Sequence, residues 1–288
     1  MTQYLVYDVF TEIPFGGNPL AVIPDASGLS EDQLLPIARE FNFSETTFVY
    51  PPDDPSHTAK VRIFTPAMEL RFAGHPTVGT AIALAGLGLG GSEMVLELGV
   101  GPIPVTVTQG HARFETRVPL SLGEAPATVA LGACIGQSAK AIRTDRHMPV
   151  LAGLGTDFVL AELTGEAALA TARPVTDVFR EAAGPEADRL AVYVYIRDGG
   201  RIRARMFQPL GGIMEDPATG SAAAALAAYL GKLDGRSQSF DIHQGIEMGR
   251  PSRIEAEVTV ENEEPVAVRI GGNAVKVMEG RLTFQGFS

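Results

Sequence analysis

The chain has 288 residues, 45% hydrophobic and 20% charged, with 23 Lys and Arg against 34 Asp and Glu, a formal net charge of −11. At roughly 150 residues per domain this length favours two domains, with a core large enough to need no disulfide staples. The acidic balance, with no run of Lys and Arg, excludes a nucleic-acid partner as an expectation, yet leaves room for one dipolar pocket that takes an anion.

Residues 4–10 are rich in β-branched and aromatic side chains and are predicted to form a strand. Pro14-Phe15-Gly16-Gly17-Asn18-Pro19 reads as a turn into a second strand at 20–23, making a hairpin. Ser30 followed by Gln33 is a capping-box signature, and Leu34, Leu35, Ile37, Ala38 and Phe41 follow at helical spacing, so a helix is predicted over about 31–41. Strands follow at 46–50 and 60–65, on either side of a polar loop at 51–56. Gly74-His75-Pro76 opens an Ala-rich helix over about 77–85, which the glycines of 86–91 end. Short strands are expected at 94–98, 105–108 and 113–118. In the second half, strands at 158–163, 190–196 and 203–207 alternate with helical stretches near 166–171, 176–183 and 217–230, and the remainder is mostly strand. Strands outnumber helices, which is the α+β pattern of helices covering a mostly antiparallel sheet. The halves are drawn at 1–118 and 119–288, with a last strand near 277–288 packing back on the first.

The single cysteine, Cys134, cannot make an internal disulfide, which fits a reducing cytoplasm. The start of the chain carries no basic leader, so no signal peptide is expected. The most apolar windows, 80–89 and 221–230, are too short to span a bilayer, so no membrane partner is expected.

Two stretches about 140 residues apart echo one another. Val61-Arg62-Ile63-Phe64-Thr65-Pro66 precedes Gly74-His75-Pro76-Thr77-Val78-Gly79-Thr80-Ala81. Ala204-Arg205-Met206-Phe207-Gln208-Pro209 precedes Glu215-Asp216-Pro217-Ala218-Thr219-Gly220-Ser221-Ala222. Strand–loop–helix units can recur by chance; the alternative is a duplicated fold whose two helix N-termini face one cleft. The first turn of a helix carries unpaired N–H groups and partial positive charge, so two such ends would suit a carboxylate or an enolate-like anion.

Together with Asp8-Val9-Phe10-Thr11, the stretch 15–22, Asn42-Phe43-Ser44-Glu45-Thr46-Thr47-Phe48-Val49 and Gln244-Gly245, these motifs resemble the phenazine-biosynthesis PhzF-like family, whose wider relatives are diaminopimelate epimerase and proline racemase. The resemblance is weakest over 119–187. It implies two structurally similar halves, each a mostly antiparallel curled sheet around a central helix, with the active site in the cleft between them. It also implies a homodimer and isomerase chemistry without metal or organic cofactor, as in the isomerisation of trans-2,3-dihydro-3-hydroxyanthranilate. By the same resemblance Glu45 is the acid/base, with His75 and Asp216 as further catalytic residues; Gly74, Gly220, Ser221 and Asn18 are candidates for binding a small anionic substrate. Read on their own, Glu45 could cap a surface turn, His75 could serve the loop backbone, Asp216 could be a plain N-cap, and Asn18 could be a hairpin-turn residue.

A carboxylate with its ordinary pKa near 4.3 is a weak base toward carbon, and burial would improve the match to neutral pH. Two-thiol epimerisation is excluded, because the helix starts carry His75 and Asp216 and the lone Cys134 lies in neither motif. Ser221 sits in no Gly-x-Ser-x-Gly elbow, the glycines of 86–91 follow a helix rather than a strand, and no Cys/His spacing suits zinc. His57, His111, His147 and His243 read as ordinary surface or turn residues. A binding protein of the same fold without turnover is the alternative from another functional class.

Overall fold

In the computed structural model, which describes residues 2–183 and 190–283, the chain divides into two units: residues 1–115 with 271–288, and residues 116–270. The division falls three residues before the expected 118, and the returning segment starts at Gly271 rather than near 277. The tail of the expected last strand, 284–288, lies outside the described residues.

In the first unit, β1 (Thr2–Val9) and β2 (Asn18–Ile23) form the expected hairpin, with Val9 opposite Asn18. The capping box of Ser30 and Gln33 starts α1 (Glu31–Phe41), and Asn42, in the left-handed region at φ 52°, ends it. This helix carries the chain back so that β3 (Glu45–Tyr50) runs parallel to β2, with Leu20 opposite Glu45. β4 (Ala59–Phe64) pairs antiparallel with β3, and the two-residue β5 (Glu69–Leu70) pairs with β4. After α2 (Gly74–Gly86) come β6 (Glu93–Leu98), parallel to β4, then β7 (Gly101–Thr108) and β8 (His111–Thr116) in antiparallel succession. Residues 274–282 of the chain's last strand lie antiparallel along all of β1, and that strand also pairs with β8, so the sheet closes.

The closed sheet surrounds α2. This helix touches β1, β2, β3, β6 and β7, and every residue from Gly74 to Leu84 is buried. Its mostly small and apolar composition suits a helix buried on all sides along those residues. A separate cluster forms where Leu34, Ile37 and Ala38 of α1 pack on Ile23, Phe48 and Phe64.

The second unit contains β9 (Ser121–Glu124), α3 (Thr128–Cys134), β10 (Val150–Gly153), β11 (Asp157–Glu162), α4 (Glu166–Thr171), α5 (Thr176–Ala183), β12 (Val192–Asp198), β13 (Arg201–Gln208), β14 (Ile213–Asp216), α6 (Gly220–Asp234), β15 (Gln238–Gln244), β16 (Ser252–Glu261) and the first part of β17 (Glu264–Leu282). β9, β10 and β11 pair antiparallel in turn; β12 is parallel to β11, β13 antiparallel to β12, and β15 parallel to β13. β16 closes antiparallel on β15. α6, also Ala-rich, packs on β10, β11, β15 and β16. A second cluster gathers Leu131 and Cys134 of α3, Leu169 of α4 and Phe179 of α5 with Val159, Val192, Val194 and Phe207.

Several expectations change. The sheet is mostly antiparallel, as expected, but the expectation did not include its parallel pairs, which lie at each strand–helix–strand crossover and at β4/β6 and β13/β15. α2 starts at Gly74 rather than 77, and α6 at Gly220 rather than 217. β7 starts at Gly101, four residues early, because Pro102 and Pro104 lie where β8 does not reach and no ladder bond is lost. His147 is a buried residue, bonded through Nε2 to the Tyr195 hydroxyl at 2.7 Å. Among the described residues no helix is long and apolar enough to cross a membrane.

Candidate active site

Glu45 is the first residue of β3, set there by the left-handed turn at Asn42 that ends α1. Its side chain is 14% exposed, and its Oε2 stands 3.4 Å from Nδ1 of His75, itself 5% exposed. His75 is the second residue of α2, so its position follows that helix. The helix is fastened to the sheet beside Glu45: the Thr80 hydroxyl donates to Thr47 Oγ1 at 2.9 Å, and Thr47 Oγ1 donates to the Ala21 carbonyl at 3.4 Å. At the helix start the Thr77 hydroxyl donates to the Ala73 carbonyl at 2.7 Å, which satisfies a carbonyl just outside the helix.

Burial pushes the His75 pKa down to about 3, against the opposing pull of a hydrogen bond to the Pro19 carbonyl. The imidazole is therefore neutral at pH 7, and the contact with Glu45 joins a carboxyl group to a neutral ring rather than two full charges. Nε2 of His75 is buried and meets no hydrogen-bond partner among the described residues. Asn18, fully buried at the start of β2, accepts from the Ser44 hydroxyl at 3.4 Å, and Gly74 is the buried first residue of α2. Asn18 is thus a buried residue at the hairpin end, bonded to the neighbour of Glu45 in sequence.

In the second unit Asp216 ends β14 and is 5% exposed. It is not the helix cap, which is Thr219. The Thr219 hydroxyl donates to Asp216 Oδ2 at 2.5 Å. Gln244, buried at the end of β15, donates through Nε2 to the Asp216 carbonyl at 2.7 Å and to Thr219 Oγ1 at 3.0 Å. The neighbouring Glu215 is gripped through both oxygens by Arg205, each contact 2.8 Å, while Arg205 Nη1 donates to the carbonyls of Leu169 and Ala172 at the end of α4. Gly220 is buried and Ser221 half-buried in the first turn of α6.

Residues 7–280 match the family described as phenazine biosynthesis-like protein. The chain belongs to this family. An uncharacterized isomerase of Mesorhizobium japonicum is 41% identical over 97% of this chain and 98% of its own length. The trans-2,3-dihydro-3-hydroxyanthranilate isomerase of Pseudomonas aeruginosa is 36% identical over 98% of this chain and 99% of its own. The crystal structure of a PhzF-family phenazine biosynthesis protein of Bacillus anthracis superposes with a TM-score of 0.88 at 25% identity, covering 98% of this chain and 99% of that one. The protein is an isomerase.

In this phenazine biosynthesis-like isomerase the predicted residues fall into two sets. Glu45, His75, Gly74 and Asn18 gather in the first unit; Asp216, Gly220 and Ser221 gather in the second. The contacts of Thr219 and Gln244 with Asp216 were not anticipated, although the Gln244-Gly245 pair is one of the motifs that carry the resemblance. Cys134 lies fully buried in α3, and burial pushes its thiol up to about 11, which leaves it protonated at neutral pH. Among the described residues no group of three or more His, Cys, Asp and Glu side chains could hold a metal ion.

Proposed function

We propose that this isomerase moves a proton within a small carboxylate-bearing substrate, by an allylic 1,3- or 1,5-type shift, with Glu45 as the general acid/base and no cofactor. The observation that carries the reading is the Glu45–His75 contact at 3.4 Å, with both side chains largely withdrawn from water. Glu45 as carboxylate removes a proton from an sp³ carbon; the electron pair is delocalised over the adjacent π system; Glu45 as carboxylic acid returns the proton to another carbon of that system. His75, neutral at working pH, orients the carboxyl group or donates to the substrate. Asp216 holds a substrate amine or hydroxyl, and Gly74, Gly220, Ser221 and Asn18 line the binding positions. The relative named trans-2,3-dihydro-3-hydroxyanthranilate isomerase makes that compound the first substrate to try.

We further infer that the two units descend from a duplication in which only one kept the acid/base. Strand pairings recur in the same order: a parallel crossover (β2 to β3, β11 to β12), an antiparallel return, a buried Ala-rich helix and a parallel strand beyond it. Phe64 stands opposite Thr46, and its counterpart in the echo, Phe207, stands opposite Val192. The residue before each partner is Glu45 in one unit and Ala191 in the other. One carboxylate supports removal and return of the proton by a single group rather than by two thiols on opposite faces.

The test is turnover in D₂O. Wild-type protein is expected to convert trans-2,3-dihydro-3-hydroxyanthranilate with solvent deuterium entering the product, and Glu45→Gln to lower kcat by about 10²–10⁴-fold. Full activity in Glu45→Gln ends the acid/base assignment; binding without any exchange in the wild type favours a binding protein. Dimerisation, expected from the family resemblance, is read from light scattering.

A further inference from the structure

The Asp216 carboxylate stands at the end of a chain of buried hydrogen bonds. Thr219 Oγ1 donates to Oδ2 at 2.5 Å, and that hydroxyl in turn accepts from Gln244 Nε2 at 3.0 Å. The other Nε2 hydrogen goes to the main-chain carbonyl of Asp216 at 2.7 Å. On the far side of the same amide, Oε1 accepts the Thr219 backbone N–H at 3.2 Å and the Tyr193 hydroxyl at 3.1 Å. A glutamine amide has two donors and two acceptor sites, and here each is engaged. Turning the amide over would set donor against donor and acceptor against acceptor, so only one orientation is permitted.

These groups are deeply buried. Gln244 is 1% exposed, Tyr193 0% and Thr219 8%. Burial and the nearby Asp216 both raise the Tyr193 pKa, which keeps its hydroxyl a proton donor to Gln244. The backbone holds the amide at close range: Gly245 has φ +75°, and a Cβ there would stand 2.6 Å from the Pro217 carbonyl oxygen and 2.4 Å from that of Arg250. Only glycine lets the end of β15 lie this near the loop that carries Asp216.

We propose that Gln244 is a positioning residue for the isomerase reaction, acting through Thr219 to fix the carboxylate of Asp216 in its substrate-binding orientation. The proposal rests on the assignment of Asp216 to substrate binding. The Tyr193–Gln244–Thr219–Asp216 relay converts a flexible acidic side chain into a preorganised acceptor, and preorganised groups discriminate most strongly at the transition state.

The test uses the full chain with Gln244→Met, Thr219→Val, Thr219→Ser and the double variant Gln244→Met/Thr219→Val. Turnover of trans-2,3-dihydro-3-hydroxyanthranilate is followed beside amide exchange of Thr219 by NMR. Gln244→Met and Thr219→Val are each expected to lower kcat/KM at least tenfold, the double variant no more than the worse single one, because both cut one relay. Thr219→Ser, which keeps the hydroxyl, should stay within about threefold of wild type. The backbone amide at position 219 should exchange at least tenfold faster in Gln244→Met and remain protected in Thr219→Val. Multiplicative losses in the double variant, wild-type turnover in Thr219→Val, or unchanged exchange in Gln244→Met would each overturn the relay. If the wild type does not turn over this compound, the substrate assignment fails, and the exchange arm still decides the hydrogen-bond lock.

Discussion

His75 stays neutral because its ring has been taken out of water, and that has a cost visible away from any substrate. In the unfolded chain the imidazole titrates at its ordinary 6.5, whereas the folded chain refuses the proton until about pH 3. Between those values the unfolded state binds more protons, so stability falls as pH drops. From pH 7 to pH 5 the loss attributable to this one group is about 2 kcal/mol. Urea unfolding of wild type and His75→Asn at pH 7, 6 and 5 checks it: the wild-type midpoint should fall more steeply, and parallel slopes would contradict the burial. Glu45, His75 and Asp216 are candidates on the strength of the short motifs that surround each of them. Gln244 sits 28 residues beyond Asp216, joined only by folding, as the bond between its Nε2 and the Asp216 carbonyl requires. His147 was misread for the same reason, since nothing local announces its partner Tyr195, 48 positions away.

The helices divide along the same line. α1 matches its predicted span, because a capping box and an amphipathic period are both local signals. α3 carries neither, having no side-chain cap and only seven residues, and it forms because Leu131 and Cys134 complete a cluster supplied by distant strands. The two echoing helices start out of step: Gly79 lies inside α2, whereas its counterpart Gly220 opens α6. Thr77 turns its hydroxyl back to the Ala73 carbonyl and extends α2 toward the chain start, while Gln244 holds the carbonyl of Asp216 and the N–H of Thr219 and keeps the corresponding stretch extended. Gly79 is needed for a reason the echo does not reveal. A Cβ there would stand 2.6 Å from both Leu20 Cδ2 and Val9 Cγ2, two fully buried side chains in a closed sheet. Gly79→Ala gains up to about 1 kcal/mol of helix propensity but overpacks the core by about 1–3 kcal/mol. A net fall in the urea midpoint is expected, together with reduced turnover, because α2 also carries His75. A stabilised Gly79→Ala would mean the sheet yields more easily than its burial implies.

At the scale of the whole molecule the sequence suggested that a last strand returns to the first half, and the extent of that return is greater than hydrophobic patterning indicated. β17 begins in the second unit and supplies the first with a partner for every residue of β1, from Thr2 opposite Leu282 to Val9 opposite Ala274. The pattern understates this because the segment mixes buried and exposed positions without strict alternation, and a register shift between Val6 and Tyr7 breaks the period. The consequence is a first unit whose closure depends on residues 271 and beyond. A chain ending at Ile270 would leave β1 paired on one side only, with Leu5, Val6, Tyr7 and Val9, all buried in the full chain, beside an open edge. Because α2 is enclosed by that same sheet, its buried face would lose shelter too, and with it the setting of His75 against Glu45. Hydrogen exchange read peptide by peptide should show β1 and α2 exchanging orders of magnitude faster in the shortened chain, with increased self-association through the exposed edge. Protection of β1 and α2 at the full-chain level would mean that the hairpin of β1 and β2 and the core around α2 suffice without closure, and that the returning strand stabilises only itself.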